Sequence, residues 1–365
     1  MSNFKDILNK DILTKQDLVC MLNAEGKNRD LLHRKSKEIT KKFTTNKVYL
    51  RGLIEYSNVC VKDCLYCGIR KSNTQQKRYS ISDSEVLNCA QYALENNYGS
   101  IVLQAGERTD KPFISKITTL LNEINKLSKG KLGITISLGE QTLEVYKKWF
   151  DAGAHRYLLR IETSNSELYQ NLHPKNKLHN FQRRIDALNN IRLAGFQFGT
   201  GVMIGLPNQT LDNLADDLLF MKAMDVDMVG MGPYIEHQHT PLFNDKHLLA
   251  SKQERLALSY NMIACLRILM KDINIAATTA LQAIDNFGRE KAIKIGANVL
   301  MPNITPGSFR DNYKLYENKP CTNENASDCN TCIDVRMNMI GSEVGYNEWG
   351  DSMHFFKNKK QLSSS

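Results

Sequence analysis

Three cysteines in the first quarter of the chain have a spacing suited to metal chemistry. Cys60, Cys64 and Cys67 form the pattern Cys-x3-Cys-x2-Cys directly after a predicted strand. A loop of this length can hold three thiolates on three corners of a 4Fe–4S cube, while the fourth iron is left without a protein ligand. The spacing therefore predicts a cluster with one iron open to an exchangeable ligand.

An open iron of this kind indicates a particular reaction. S-adenosylmethionine (SAM) can chelate it through its amino and carboxylate groups, which brings the sulfonium close to the cluster. One electron from the reduced cluster then breaks the S–C5′ bond and gives methionine and a 5′-deoxyadenosyl radical. Zinc is the alternative occupant, but structural zinc normally has four protein ligands. No further cysteine or histidine occurs between Cys67 and Cys89.

The elements that must position these cysteines begin near position 48, where short apolar runs start to alternate with helical patterns. Eight strands alternating with helices predict an α/β fold of the parallel (β/α)8 TIM-barrel type, with an open doubly wound sheet as the alternative. We expect an N-terminal helical extension at 1–46, the barrel at 47–310 and a C-terminal cysteine-containing segment at 311–365. The eight runs span 48–54, 100–104, 134–138, 157–161, 201–204, 228–231, 275–278 and 298–301.

Several helices have clear start signals. A Ser or Thr followed three residues later by an acidic residue is typical of a capping box at a helix N-terminus. The pairs are Thr14 and Asp17, Ser82 and Glu85, and Ser251 and Glu254.

Polar residues cluster where the predicted strands end. In a (β/α)8 barrel the chemistry takes place at the carboxyl ends of the strands, so these side chains are candidates for the site. The alternative is that ion pairs among them simply fill the barrel interior, because a buried charge needs a partner. The candidates are Arg51, Gln104, Glu107, Ser137, Glu140, Arg160, Glu162, Thr278 and Thr279.

Composition narrows the functional class. The formal charge is +9, but 48 basic residues are mixed with 39 acidic ones without a block of five like charges, so we expect no nucleic-acid partner. The first residues lack the apolar run expected of a secretory signal, and no apolar stretch is long enough to span a bilayer, so we expect no membrane association. Nine cysteines, an odd number, indicate metal-bound thiolates in a reducing cytoplasm rather than disulfides.

The motifs around the three cysteines resemble those of the radical SAM superfamily, in its biotin synthase-like branch. Within that branch the chain is most similar to the HydE family of FeFe-hydrogenase maturases, from about Tyr49 to Cys332. The stretches that carry the resemblance are Tyr66-Cys67-Gly68-Ile69-Arg70, Leu159-Arg160-Ile161-Glu162-Thr163, Gly201-Val202-Met203-Ile204-Gly205-Leu206-Pro207, Ser137-Leu138-Gly139-Glu140 and Ala277-Thr278-Thr279-Ala280.

The resemblance implies roles for individual residues. Glu162 would accept hydrogen bonds from the SAM ribose or ammonium group, and Arg184 would clamp the SAM carboxylate through its guanidinium fork. Ile161 stands where some relatives carry histidine, which leaves the polarity of the cavity open. The expected SAM-binding residues are Tyr66, Ser137, Glu162, Arg184 and Met228, and the expected substrate-cavity residues are Arg51, Gln104, Thr135, Arg160, Thr278 and Thr279.

A second cysteine set follows the last predicted strand. Cys321, Cys329 and Cys332 form Cys-x7-Cys-x2-Cys, which resembles the auxiliary iron–sulfur site of many such maturases, of 2Fe–2S or 4Fe–4S type. Structural zinc is the alternative. Cys20, Cys89 and Cys265 lie in helical patterns and are expected to be buried thiols.

The function implied by the resemblance is maturation of the hydrogenase H-cluster on a small sulfur-containing, iron-bound cysteine substrate. The implied partners are other maturation proteins and an electron donor of the ferredoxin or flavodoxin type. Biotin synthase-like and methylornithine synthase-like enzymes are the catalytic alternatives. An iron–sulfur scaffold is the non-enzymatic one, and it would produce no 5′-deoxyadenosine from SAM under reducing conditions.

Overall fold

A computed structural model describes residues 4–320 and 326–364, except for the side chains of 326–332 and 360–364. Its larger sheet consists of parallel strands that follow one another around a central axis in the order β10-β1-β2-β3-β4-β5-β7-β9, with β11 paired to β1. The strands are β1 (Lys47–Ser57), β2 (Ser100–Ala105), β3 (Gly133–Ser137), β4 (Arg156–Leu158), β5 (Gln197–Thr200), β6 (Met203–Ile204), β7 (Met228–Val229), β8 (Gly232–Pro233), β9 (Asn274–Ile275), β10 (Val299–Leu300) and β11 (Glu343–Val344).

The ends of this eight-strand path meet, so the sheet closes into a barrel. A parallel bridge joins Ala276 to Val299. The Asn298 N–H donates to the Ile275 carbonyl at 2.9 Å, and the Ala277 N–H donates to the Val299 carbonyl at 2.9 Å. The predicted (β/α)8 barrel is therefore confirmed.

The fifth strand is displaced from its predicted position. We expected it at 201–204, but the barrel strand is β5 at Gln197–Thr200, and Met203–Ile204 forms the separate strand β6, which pairs with β8. Polar Gln197 and Thr200 weaken the apolar pattern of β5 in the sequence. Both are buried, because they lie inside the barrel wall.

Helices alternate with the strands and cover the outside of the barrel. All three predicted capping boxes are confirmed, since the side chains of Thr14, Ser82 and Ser251 each accept from the N–H three residues on. The helices are α1 (Phe4–Leu8), α2 (Lys15–Leu22), α3 (Gly26–Phe43), α4 (Asp83–Glu95), α5 (Lys111–Ser128), α6 (Leu143–Asp151), α7 (Ser166–Asn171), α8 (Phe181–Leu193), α9 (Leu211–Ala223), α10 (Lys252–Leu269), α11 (Thr279–Ile284), α12 (Gly288–Ile295), α13 (Gly307–Arg310), α14 (Ala326–Met339) and α15 (Met353–Ser364), with 3-10 turns at Lys177–His179 and Pro241–Leu248.

Alternation along the strands separates the core from the site. In β2, Ile101 and Leu103 pack in the hydrophobic core between sheet and helices. Their neighbours Val102 and Gln104 line cavities inside the barrel. Successive side chains of a strand point to opposite faces, so the apolar residues fix the outward face and leave the inward face available for polar groups.

The C-terminal segment closes the lower end of the barrel, where the strands begin. β11 pairs in parallel with the start of β1. Arg156 at the start of β4 donates to Asp351 at 3.1 Å and to the Trp349 carbonyl at 2.7 Å. Asn274 donates to the Gly350 carbonyl at 2.8 Å. Residues 348–352, which we call the lower plug, thus satisfy polar groups from several strands.

Two expectations about the chain are only partly addressed by the structure. The division at 46 and 310 stays a prediction, although α2 and α3 contribute Leu18, Met21 and Leu32 to the same core as the barrel. No helix in the described ranges is long and apolar enough to cross a bilayer. The cytoplasmic location stays a prediction.

Candidate active site

The loop that carries Cys60, Cys64 and Cys67, which we call the cluster loop, lies at the upper end of the barrel and is fixed by its neighbours' backbones. The Val61 N–H donates to the Glu107 carbonyl after β2, and the Leu65 N–H donates to the Leu172 carbonyl after α7, both at 2.9 Å. These bonds hold the three thiols over the carboxyl ends of the strands.

The three thiols suit a cluster. All three are free cysteines that line one cavity, and the Glu107 N–H donates to Cys60 Sγ at 3.3 Å. Burial and the neighbouring Cys60 raise the pKa of Cys64 to about 12, and binding to a metal would favour its thiolate form. Within the described residues no three Cys, His, Asp or Glu side chains converge on one ion position. Three thiols in one loop are the donor set that a 4Fe–4S cluster with one open iron requires.

The cavity below the thiols has a volume of about 250 Å³ and brings together most of the predicted residues. It contains groups from β2, β3, β4 and α8, together with apolar side chains such as Leu159, Met203 and Ile235. The sequence-predicted residues that line it are Cys60, Cys64, Tyr66, Cys67, Gln104, Ser137, Arg160, Glu162 and Arg184.

A buried charge network borders the cavity next to the cluster loop. Lys62, inside the Cys-x3-Cys segment, lies 3.3 Å from Glu107 and 2.9 Å from Glu140. The carboxylate of Glu140 also pairs with Arg183 and Arg184 through their Nε atoms, each at 2.8 Å. Three cations therefore meet two carboxylates, and Arg184 lines the cavity already oriented by Glu140.

The pKa values of the two carboxylates of this network are shifted in opposite directions. Burial, reinforced by the nearby charge of Glu140, raises the pKa of Glu107. Burial also disfavours the charged form of Glu140, but Arg184 and Lys62 outweigh it and hold the pKa of Glu140 below its usual range. Glu107 is thus the carboxylate whose charge gains most from an added cation.

Close packing at Gly139 lets Glu107 reach this position. Gly139 has a left-handed backbone with φ of +81°, and a Cβ there would lie 2.3 Å from Glu107 Cγ. A side chain at Gly139 would therefore displace the carboxylate.

Glu162 is held in an uncommon conformation at the end of β4. Its φ is +69°, in the left-handed region that residues other than glycine seldom adopt. Its carboxylate lies 2.9 Å from Arg160 Nη2. Burial raises its pKa, although Arg160 and Arg184 act against the shift.

Two histidines support the cluster loop and were not predicted as site residues. His179 Nε2 accepts from the Asp63 N–H at 2.8 Å, while its Nδ1 lies 2.7 Å from Asn176 Oδ1. Burial and Lys62 lower the pKa of His179 to about 4, so the ring is neutral and can accept. His173 packs edge-on against Tyr66, and burial lowers its pKa to about 3.

Three predicted residues line a different cavity. Met228, Arg51 and Thr135 border a separate, smaller cavity nearer the lower end of the barrel. Arg51 lies deep along β1, where it pairs with Ser100 at the very start of β2, and its guanidinium donates to Met228 Sδ at 3.3 Å. All three side chains face the inside of the barrel as expected, but they lie nearer its lower end than the cavity that contains the thiols. Leu158 lines both cavities and separates them.

Other predictions fall beside the cavity or outside the described residues. Thr279 bonds the hydroxyl of the lining residue Tyr316 at 2.7 Å, and Thr278 donates to the Met231 carbonyl at 3.1 Å. Ile161 packs in the outer core, so it does not set the polarity of the cavity. Cys321 lies outside the described residues, as do the side chains of Cys329 and Cys332, whose backbones belong to α14.

Sequence reasoning gave Lys62 no role, and it named Glu107 and Glu140 as candidates without assigning them one. The last two were noticed as polar residues at strand ends, and that signal was the right one. Lys62 carries the clearest overlooked signal, a cation between two cysteine ligands.

Comparison with known proteins agrees with this geometry. The radical SAM superfamily domain matches residues 54–221. The chain is 41% identical over 337 residues to the FeFe-hydrogenase maturase subunit HydE of Thermotoga maritima, which covers 92% of each protein. It is 24% identical over 310 residues to 3-methylornithine synthase of Methanosarcina barkeri, covering 84% of this chain and 83% of the relative.

Among solved structures, methylornithine synthase (PylB) superposes with a TM-score of 0.78 over 95% of this chain and 98% of that chain. Its identity of 21% shows a shared fold only. The match to the hydrogenase maturase subunit is closer in sequence and extends over nearly the whole length of both proteins. The chain therefore belongs to the radical SAM superfamily and, within it, to the HydE family of FeFe-hydrogenase maturases.

Proposed function

We propose that this enzyme cleaves SAM at a 4Fe–4S cluster held by Cys60, Cys64 and Cys67, and uses the resulting radical on a small, iron-bound cysteine substrate during H-cluster maturation. One observation carries the proposal: three free thiols share a cavity with the acidic and basic side chains that a zwitterionic ligand requires.

The cavity fits the charges of SAM. Its methionine part carries an ammonium and a carboxylate, and Glu107 and Arg184 offer the complementary charges. Glu107 Oε1, Glu162 Oε2 and Arg184 Nε are buried and lack an aligned hydrogen bond, although each lies within ion-pair distance of a partner. We assign the ammonium to Glu107, the carboxylate to Arg184 and the ribose to Glu162, with Tyr66 and Ser137 alongside.

When bound, the cluster and SAM supply reductive cleavage of the S–C5′ bond and a 5′-deoxyadenosyl radical. The residues of the chain bind, orient and shield the reacting groups. Glu140 fixes the guanidinium of Arg184, and Leu159, Met203 and Ile235 exclude water from the cavity wall. His179 keeps the backbone between Cys60 and Cys64 in place.

The substrate side consists of Gln104 and Arg160, which line the same cavity. An amide and a guanidinium suit a carboxylate or a cyanide-bearing iron complex. The iron-bound cysteine is proposed on this basis, and its sulfur is the atom the radical would attack.

We further propose that Cys321, Cys329 and Cys332 hold an accessory iron–sulfur cluster that takes no part in SAM cleavage. Their place beyond the eighth strand in the sequence supports a separate role.

The test is anaerobic reconstitution followed by EPR spectroscopy and a 5′-deoxyadenosine assay with dithionite as the reductant. Cys64→Ala is expected to lose both the 4Fe–4S signal of the SAM-binding cluster and 5′-deoxyadenosine formation. Cys329→Ala is the matched control, and it should keep SAM cleavage. Equal loss in both variants would contradict the division of labour, and no cleavage by the wild-type protein would contradict the enzymatic proposal.

Substrate identity is tested by adding a synthetic cysteine-bound iron dicarbonyl cyanide complex to the same assay. We expect faster SAM cleavage and conversion of the complex. A lack of response to this complex, with intact SAM cleavage, would contradict the substrate assignment alone.

A further inference from the structure

One outer face of the molecule lies directly against the cluster loop and is strongly basic. Three segments form it: 70–77, 171–180 and 241–248. The Lys71 N–H donates to the Lys62 carbonyl at 2.8 Å, and the Leu242 N–H donates to the Leu65 carbonyl at 3.0 Å. The side chain of Lys62 in turn donates to the Leu178 carbonyl. Each segment thus contacts the loop that carries the cysteines.

The exposed charges of this face are mostly positive. We call it the basic face and define it by the exposed side chains Lys71, Lys77, Lys175, Lys177 and Lys246. The acidic residues of the three segments and the cluster loop are Asp63 and Asp245, and Asp63 is paired with Arg70 at 2.8 Å. Within these segments, five exposed cations therefore stand against two carboxylates, one of which is already paired.

Two large apolar side chains lie among these cations. Leu178 is 41% exposed and Leu248 is 47% exposed. Apolar residues surrounded by charged ones are typical of surfaces that bind a partner transiently, where the charges guide the encounter and the apolar centre is desolvated.

The proposed function requires such an encounter. SAM cleavage consumes one electron per turnover, and that electron must enter the cluster through the nearby protein surface. We propose that the basic face is the docking site of a small acidic one-electron carrier protein, which reduces the cluster across the cluster loop. This inference rests on the proposed function. The carrier loses one electron, the cluster gains it, and no atom is transferred.

Charge complementarity decides the occupant. A basic face of this kind repels another basic surface, including a second copy of this chain, whose formal charge is +9. An acidic carrier is attracted at long range, and association guided in this way is faster by factors of about 10 to 1,000 at low ionic strength.

The test compares two reductants with one triple variant, Lys71→Glu/Lys175→Glu/Lys177→Glu. With dithionite, which needs no docking, 5′-deoxyadenosine formation should match the wild-type protein. With a reduced bacterial 4Fe–4S ferredoxin at low salt, it should fall at least about tenfold. Adding 0.5 M KCl should slow the wild-type protein and remove most of the difference, because salt screens surface charges.

The matched control reverses three exposed lysines on α5 and α6, Lys126→Glu/Lys147→Glu/Lys148→Glu, with the same change in net charge. It should behave as the wild-type protein with both reductants. Calorimetric titration of oxidised ferredoxin gives an independent measurement, and only the basic-face variant should weaken binding.

Ferredoxin-driven cleavage that is equal in the wild-type protein and the basic-face variant would overturn the inference. So would equal slowing in both triple variants, since net charge alone would then explain it. Failure of the proposed function is distinguishable, because the wild-type protein would then give no 5′-deoxyadenosine even with dithionite.

Discussion

Both ends of the barrel bury arginines against carboxylates, yet only one end is built for a ligand. At the lower end Arg156 pairs with Asp351, and Arg51 donates to the Gly350 carbonyl at 3.2 Å. The lower plug supplies these acceptors, so both arginines have their hydrogen-bond partners within the fold. At the upper end, Glu107 and Arg184 face a cavity that also contains the three thiols. Buried charge alone does not identify a functional site. Charged side chains that face a cavity together with reactive groups, here the three thiols, do.

The effect that tests this contrast most directly is on catalysis. We expect Glu107→Gln to lower SAM-cleavage efficiency on the order of 100-fold, because one partner of a buried charge pair is worth roughly 2–5 kcal/mol. Dithionite-driven 5′-deoxyadenosine formation as a function of SAM concentration measures it. Asp351→Asn is the control at the lower end and should retain cleavage at moderate temperature. The contrast between the ends fails if both variants lose activity to the same extent.

The next effect is on stability and concerns the lower end. Asp351→Ala should cost about 3–5 kcal/mol, since it leaves Arg156 buried without its carboxylate. Urea unfolding of the apoprotein measures the change. Glu348→Ala removes a carboxylate from the same plug, but its partner Lys47 is 40% exposed, so the cost should stay below about 1 kcal/mol. Similar losses in both variants would show that the plug is not held by its buried ion pair.

A third variant concerns the side chain of Leu158, which lies between the two cavities. Leu158→Ala removes the side chain shared by the two cavities and should cost about 2 kcal/mol. Leu158→Met nearly conserves volume and should remain close to the wild-type protein. Thermal unfolding measures both changes. No difference between Ala and Met at this position would mean that the side chain does not fill the space between the cavities.

The smallest effect is a pH dependence at the lower end. A hydrogen bond to Asp272 raises the pKa of His354 to about 9, and a second one to Asp225 acts in the same direction. Burial opposes this shift but does not cancel it. A raised pKa means that this stabilisation is fully present below about pH 6.5 and is lost as the pH rises through 9. Lys357 also pairs with Asp272. The melting temperature of the apoprotein should therefore fall between pH 7 and 9.5, and less so in His354→Asn. An identical fall in the variant would assign the effect to other groups.

Much of the fold and the cluster loop could be predicted because the relevant signals are local. The three cysteines lie within eight residues of one another, and the capping boxes lie within four. The alternation of strand and helix patterns along the chain likewise predicted the barrel. The position of β5 was wrong because polar Gln197 and Thr200 interrupt the apolar pattern where the barrel still buries them.

The depth of a residue inside the barrel could not be predicted. Alternation along a strand gives the face of the sheet, and it correctly turned Arg51, Thr135 and Met228 inward. Their level along the barrel axis depends on the stagger between strands, which a single sequence does not specify. The network of Lys62 with Glu140 was missed for a related reason, since its members are 78 residues apart in the chain.

The lower plug also bears on how the chain is made. Residues 348–352 are synthesised after every strand they seal, and after both sets of cysteines. A chain that stops before residue 343 would keep every cysteine, yet Arg156 and Arg51 would have no plug to bond. Loss of activity in such a truncation would therefore report incomplete closure of the barrel, and not the absence of an iron ligand.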